Sequence, residues 1–545
     1  MFSNRYLMMA VAANVLVAAV LYGNLSQTEK GQQVLAQVKE TASFLSEQGM
    51  AQIRGMMSSV TTSQCGLFPY TDYAIISNRV VLPGHGVVPA AIYISQGTIT
   101  KISTNLKALP TTLKSMHFGN AVISPGFIDV HAHLNEPGRE AWEGLTTGTT
   151  AAAKGGITTV IDMPLNSFPT TTTLERLRQK QELAREKSMI NIGHWAGITP
   201  ENAHDEAALK ALWDGGALGF KAFMAPSGID DFQHISEADL KAAIGTLKGF
   251  GAPLCLHAEI VTDVHVPRDS PRMYWTYMAG RPSVFEMEAL KMITLALGQD
   301  PHDTKPGFRV HIAHLGCSEC MKVIKFAQEQ GLPITVETCP HYLSFSARQI
   351  AEGDTRFKCA PPIRGEDNRE GLVNHVLDGS IDLIASDHSP APPSMKEFES
   401  GDFQKAWGGI SGIQYLVPAT WTALRRARQG DEKFNEDLLL MSKILASEPA
   451  KLAGLGDKKG RIAPGYDADL TVWMPEDDAD TSAAGNLHKH PISVYENMVL
   501  KGQVVATVVN GFGQYHKGVV DYVGCGMLAL RTGVTAAADV KEPKK

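Results

Sequence analysis

His131 and His133 stand one residue apart in HAHLNEP, residues 131 to 137, and Lys221, His257, His314 and Asp387 follow along the chain. On an extended strand the side chains at i and i+2 share a face, so these two imidazoles could hold one divalent cation. Alone the pair is weak evidence, because buried histidines that merely hydrogen-bond are common. It gains weight because His257, His314 and Asp387 each sit at the end of a short apolar run. Four imidazoles and a carboxylate used as core filling would each need a separate polar partner. Lys221 is the odd member, since a free ammonium among metal ions is strongly disfavoured. If its amine instead takes up carbon dioxide, the carbamate is an anionic, two-oxygen ligand able to bridge two metals. Two metals sharing a hydroxide would supply a nucleophile at neutral pH and polarise a carbonyl. Asp387 could accept the proton during attack and return it to a leaving nitrogen as general acid and base. The reaction class implied is hydrolysis of an amide-like bond.

The runs that carry these residues recur through the middle of the chain, at 123–134, 158–164, 190–198, 217–225, 253–259, 308–315, 334–342 and 381–390. Between them lie stretches such as TTLERLRQKQELAREKS and SEADLKAAIGTLKGF, with apolar spacing near the helical period and plausible N-caps. Eight buried strands alternating with helices predict an α/β fold, a (β/α)8 TIM barrel over 123–454, whose chemistry gathers where the strands end. Alternating runs in 67–122 and again in 455–525 predict a small composite β-sandwich domain built from both chain ends, with 526–545 as a tail.

Residues 6–23, YLMMAVAANVLVAAVLYG, are apolar enough for a signal peptide or membrane anchor over 1–23, followed by a polar tether over 24–66. This predicts localisation to the endoplasmic reticulum or another secretory-pathway membrane. A formal net charge of -7 over 545 residues, with no basic stripe, gives no sign of nucleic-acid binding. Seven cysteines are too few, and odd in number, for a disulfide framework. Cys317 and Cys320 have the C-x-x-C spacing but lack a second pair, and read as ordinary thiols on the first turn of a helix.

The ordered set HAHLNEPG, GFKAFMAPSG, CLHAE, IAHLG, TVETCPHYL, FKCAPPIR and ASDHSP resembles the cyclic amidohydrolases of the amidohydrolase superfamily, and among them the allantoinases most closely. The resemblance spans residues from about 70 to 525. It implies two zinc ions, one on His131, His133 and Asp387, the other on His257 and His314, with N-carboxylated Lys221 between them. The implied reaction is hydrolytic opening of the ring of allantoin to allantoate, a step of purine breakdown. Dihydroorotases carry an arginine where this chain has Asn135, suited to a substrate carboxylate. An asparagine suits a neutral ureido group without leaving a buried charge unpaired. Dihydropyrimidinases hold the developing oxyanion with a tyrosine shortly after the lysine, where this chain reads MAPSG with Ser227. Contacts to the ring are expected from Asn135 and Ser227, and from the loops at 338–340 and 408–409, which contain Cys339 and Gly408. For Ser227, capping or turning its loop is favoured over a direct part in catalysis.

His194, His341 and His388 read as structural, or as partners standing behind the ligands, rather than as ligands, and His488 with His490 as remote from the barrel mouth. The Pro-rich stretch SPAPPSMKEFESGDF after Asp387 could be a lid or a surface loop. Self-association, up to a tetramer, is implied by the resemblance. The alternatives are a dihydropyrimidinase or hydantoinase, or a non-catalytic scaffold related to the dihydropyrimidinases, which metal content would separate from an enzyme.

Overall fold

In the computed structural model, residues 65–534 are described, apart from 69, 111, 113, 267–269, 299–304 and 429. The expected anchor over 1–23 and nearly all of the tether lie outside them. No helix among the described residues is long and apolar enough to cross a membrane. The expected localisation to a secretory-pathway membrane is therefore corrected.

The eight runs of the middle segment become short parallel strands, beginning with Phe127–Ala132, Ile157–Asp162 and Asn191–His194, which pair in that order. Ala196–Gly197 then starts a six-stranded series through Phe220–Phe223, Leu254–His257, Val310–Ile312, Ile334–Thr338 and Leu383–Ile384. A parallel bridge between Ala132 and His388 joins the last of these back to the first, so the sheet closes as the (β/α)8 prediction requires. Most strand positions are buried on both faces, as in a sheet wrapped by helices. The helices start where the caps are. Thr173 accepts from the Arg176 amide ahead of Leu174–Lys187, and Ser236 forms a capping box with Asp239 ahead of Glu237–Phe250.

Strands from the two chain ends share one nine-stranded sheet. Its seam is the antiparallel pairing of Val122–Pro125 with Leu470–Asp478. Gly126 follows directly and leads into the first barrel strand. A Cβ there would lie 2.2 Å from the Thr158 hydroxyl, so no other residue fits this turn. The tail continues past this sheet: the Ile192 amide donates to Met527 O at 3.0 Å and the Ala529 amide to Ile192 O at 2.8 Å. That adds residues 527–529 to the edge of the third barrel strand.

The cysteine expectation needs one correction. Cys65 and Cys525 form a disulfide, so the seven cysteines contain one bridge and five free, buried thiols. The arithmetic of spacing missed it because the partners lie 460 residues apart. The bridge closes almost the whole described chain into a loop and ties the β sheet to the barrel-edge tail. Cys65→Ser is expected to lower unfolding free energy by about 2–4 kcal/mol. Chemical denaturation with and without reductant checks this, and coincident curves for variant and parent under oxidising conditions would contradict it. Cys317 and Cys320 flank the turn that leads into the helix Met321–Glu329, as expected.

Candidate active site

The strand ends bring His131, His133 and Asp387 together, with ligand atoms of all three within 4.8 Å of one another. Asp387 Oδ1 lies 3.5 Å from His131 Nε2 and 3.6 Å from His133 Nε2. The other ring nitrogens are already committed. His133 Nδ1 donates to the Leu165 carbonyl at 2.8 Å, and His131 Nδ1 is hydrogen-bonded to Glu337. A carbonyl can only accept, so the proton of His133 sits on Nδ1 and its Nε2 lone pair faces Asp387.

A second pair follows the same logic. His257 Nε2 bonds Glu259 at 2.7 Å, which leaves its Nδ1 facing His314 Nε2 at 3.1 Å. Phe223 stacks on the His257 ring at 4.5 Å and fixes its plane. Two nitrogens bound to one tetrahedral zinc at about 2.0–2.1 Å stand about 3.3 Å apart, close to the spacing found. The His131 and His314 rings are 5.1 Å apart, so the two pairs adjoin.

Lys221, from the strand Phe220–Phe223, is fully buried, and its Nζ has no hydrogen-bond partner among the described residues. Burial holds its amine below the usual lysine range. An amine whose charged form burial disfavours, close to two histidine pairs, fits carboxylation: the carbamate would satisfy by coordination a group that is otherwise orphaned. Burial likewise holds His131, His257 and His314 toward the neutral form that binds metals. For Asp387, burial pushes the carboxyl up, but the imidazoles of His131, His133 and His341 outweigh it and keep it ionised.

Backbone geometry marks the same place. Asn135, His314 and Asp387 have φ of 66°, 38° and 43°, in the left-handed region that non-glycine residues rarely occupy.

The site opens into a cavity of ≈ 420 Å³ lined by His131, His133, His257, His314, Asp387, Ser227, Gly408 and others. Ser227 Oγ is committed to its own loop, donating to Phe232 O at 2.6 Å. Asn135 and Cys339 do not line the cavity. Asn135 is fully buried with both amide atoms unpartnered, and Cys339 is the N-cap of the short helix Pro340–Ser344. Gly408 has open space where a Cβ would go, whereas a Cβ on Gly409 would meet Ser389 O at 2.1 Å.

Several lining residues escaped the sequence reading: Asn166, Arg281, Lys358 and Trp407. Lys358 Nζ donates to Gln404 O at 3.0 Å and Ala406 O at 2.6 Å. It thereby pins the segment that follows the Pro-rich stretch as part of the cavity wall. His488 is not remote: its ring stacks at 4.8 Å on His388, whose Nε2 is 3.4 Å from Glu143. His490 instead bonds Ala141 O at 2.7 Å.

The two carboxylates that orient the histidines were also missed. Glu337 bonds His131 and His311, which hold it ionised against the cost of burial. Glu259 bonds His257 and Arg281 and is held down to about 2 in spite of burial. Such outer partners fix ring orientation and basicity. Glu337→Gln is therefore expected to weaken metal binding about 10–100-fold, read by competition with a chromogenic chelator. Unchanged affinity would remove Glu337 from this role.

Residues 122–512 match the model of the amidohydrolase family. The chain belongs to the amidohydrolase family. Among the relatives of this amidohydrolase, an allantoinase of Arabidopsis thaliana is 41% identical over 86% of this chain and 93% of its own length. An allantoinase of Streptomyces avermitilis is 38% identical over 81% and 94%. One of Saccharomyces cerevisiae is 36% identical over 80% and 94%. Among solved structures, the L-hydantoinase (dihydropyrimidinase) of Arthrobacter aurescens superposes with a TM-score of 0.73 at 26% identity, over 84% of this chain and 100% of the other. The amidohydrolase described here is an enzyme acting on cyclic amides, and its His131, His133 and Asp387 can hold a metal ion.

Proposed function

We propose that the enzyme hydrolyses the ring amide of allantoin to allantoate with the help of two zinc ions. The observation that carries this reading is the meeting of two histidine pairs and Asp387 at one cavity, with the unpartnered, buried Lys221 close enough to act electrostatically on His131, His257 and His314. The substrate rests on the relatives that bear the name allantoinase.

His131, His133 and Asp387 would hold one ion, His257 and His314 the other, and N-carboxylated Lys221 would lie between them. When bound, the ions would polarise the ring carbonyl and lower the pKa of water toward neutrality. Asp387 takes the proton released as the carbonyl is attacked and passes it to the ring nitrogen that leaves. Its ionised resting state, maintained by the surrounding imidazoles, is the form that role needs. Glu337, Glu259 and the Leu165 carbonyl keep the imidazole lone pairs aimed inward. Gly408 would lie along the ring, with Ser227 shaping its own loop at the cavity.

A hydantoinase-type specificity is the second reading, favoured by the hydantoinases whose solved structures share the fold. Stripping the protein of metal with a chelator and restoring zinc with bicarbonate tests the reading. Allantoin hydrolysis should vanish and return with about two zinc ions per chain. Hydrolysis that persists in metal-free protein would overturn it.

A further inference from the structure

Asp387 belongs to two sets of potential ligands. One is the set with His131 and His133. In the other, Cys339 and His341 offer a sulfur and a nitrogen that lie with an Asp387 oxygen within 4.8 Å of one another. All three residues are buried, the reaction does not use the Cys339 thiol, and it uses the His341 ring only as a charge neighbour of Asp387.

His341 is fully buried with neither ring nitrogen hydrogen-bonded among the described residues. A buried imidazole without partners is costly and calls for an explanation. Tyr342 packs edge-on against it at 4.2 Å, so the ring cannot turn away freely. Cys339 and His341 bracket Pro340 at the start of the helix Pro340–Ser344, which fixes their separation. Asp387 comes from the loop after Leu383–Ile384 and lines the cavity, so an ion entering the cavity meets it first. A sulfur, an imidazole nitrogen and a carboxylate oxygen form a ligand set that favours thiophilic divalent cations over hard ones.

We propose that Cys339, His341 and Asp387 form a further metal site, selective for thiophilic divalent cations, which inhibits the enzyme by drawing Asp387 away from His131 and His133. Binding replaces the S–H bond of Cys339 by a sulfur–metal bond, and the proton leaves to solvent. The proposal does not depend on which ring is the substrate.

The test is titration of the full-length, metal-loaded enzyme with Cd2+, followed by the ultraviolet cadmium–thiolate band, metal analysis and proton release. The expected result is one Cd2+ per chain beyond the metals already present, a thiolate band, one proton released, and loss of turnover in step with the band. Cys339→Ser should abolish the band, Cys359→Ser should keep it, and His341→Phe should weaken Cd2+ binding by at least about tenfold. If Cys339→Ser does not fold, His341→Phe and the proton count decide. Cadmium uptake without a thiolate band, a band retained in Cys339→Ser, or unchanged affinity in His341→Phe would each overturn the proposal.

Discussion

Asp387→Asn is expected to reduce kcat by at least about 10³-fold, with the fold intact. The substitution keeps the size of the side chain and can keep its hydrogen bonds. What it loses is the charge that faces His131 Nε2 and His133 Nε2 at 3.5 and 3.6 Å, and the ability to accept a proton. Both losses fall on the reaction, since the residue has to hold an ion and carry a proton to the leaving nitrogen. The left-handed backbone at Asp387, φ 43°, tolerates asparagine better than most residues, so the loop should not rearrange. Steady-state kinetics with a thermal melt checks this. Activity within tenfold of the parent, or a collapsed melting temperature, would contradict it.

Lys221→Ala carries the second large effect. It is expected to leave the protein folded, to reduce bound metal from about two ions per chain to under one, and to remove turnover to background. The fold should survive because the amine makes no hydrogen bond that the change would break, and the cost of burying it disappears as well. Lys221 acts electrostatically on His131, His257 and His314, so the space vacated adjoins them and a short carboxylate entering it would replace the carbamate. Propionate or acetate at high concentration is therefore expected to restore part of both metal content and activity. Retention of both metals by Lys221→Ala would show that no bridging carbamate is needed, whatever the kinetics.

Much of this was legible in the sequence because the relevant signals are local. His131 and His133 share a strand face by their spacing alone, and each of the eight apolar runs ends in turn or polar residues that mark the barrel mouth. The capped helices at 174–187 and 237–250 were equally visible, since Thr173 and Ser236 stand where caps are needed. What stayed hidden depends on long-range approach. Cys65 meets Cys525, and His488 reaches His388, only because the two chain ends fold back on the barrel. Glu337 and Glu259 looked like ordinary acids in strand-end motifs, and nothing in one sequence shows that each faces a histidine nitrogen. Asn135 is a different case. Its type suited a neutral ring, and in the structure its amide is buried and unpartnered, while Asn166 is the asparagine that lines the cavity. Composition also misled at the N-terminus, where an apolar run suggested a membrane location that no described helix supports.

The most direct measurement is parallel turnover of allantoin, dihydrouracil and dihydroorotate by the full-length, zinc-loaded enzyme under one set of conditions. Allantoin consumed with stoichiometric formation of allantoate, and far faster than either other ring, is the expected result. Rapid opening of dihydrouracil with allantoin left intact would contradict the proposed function.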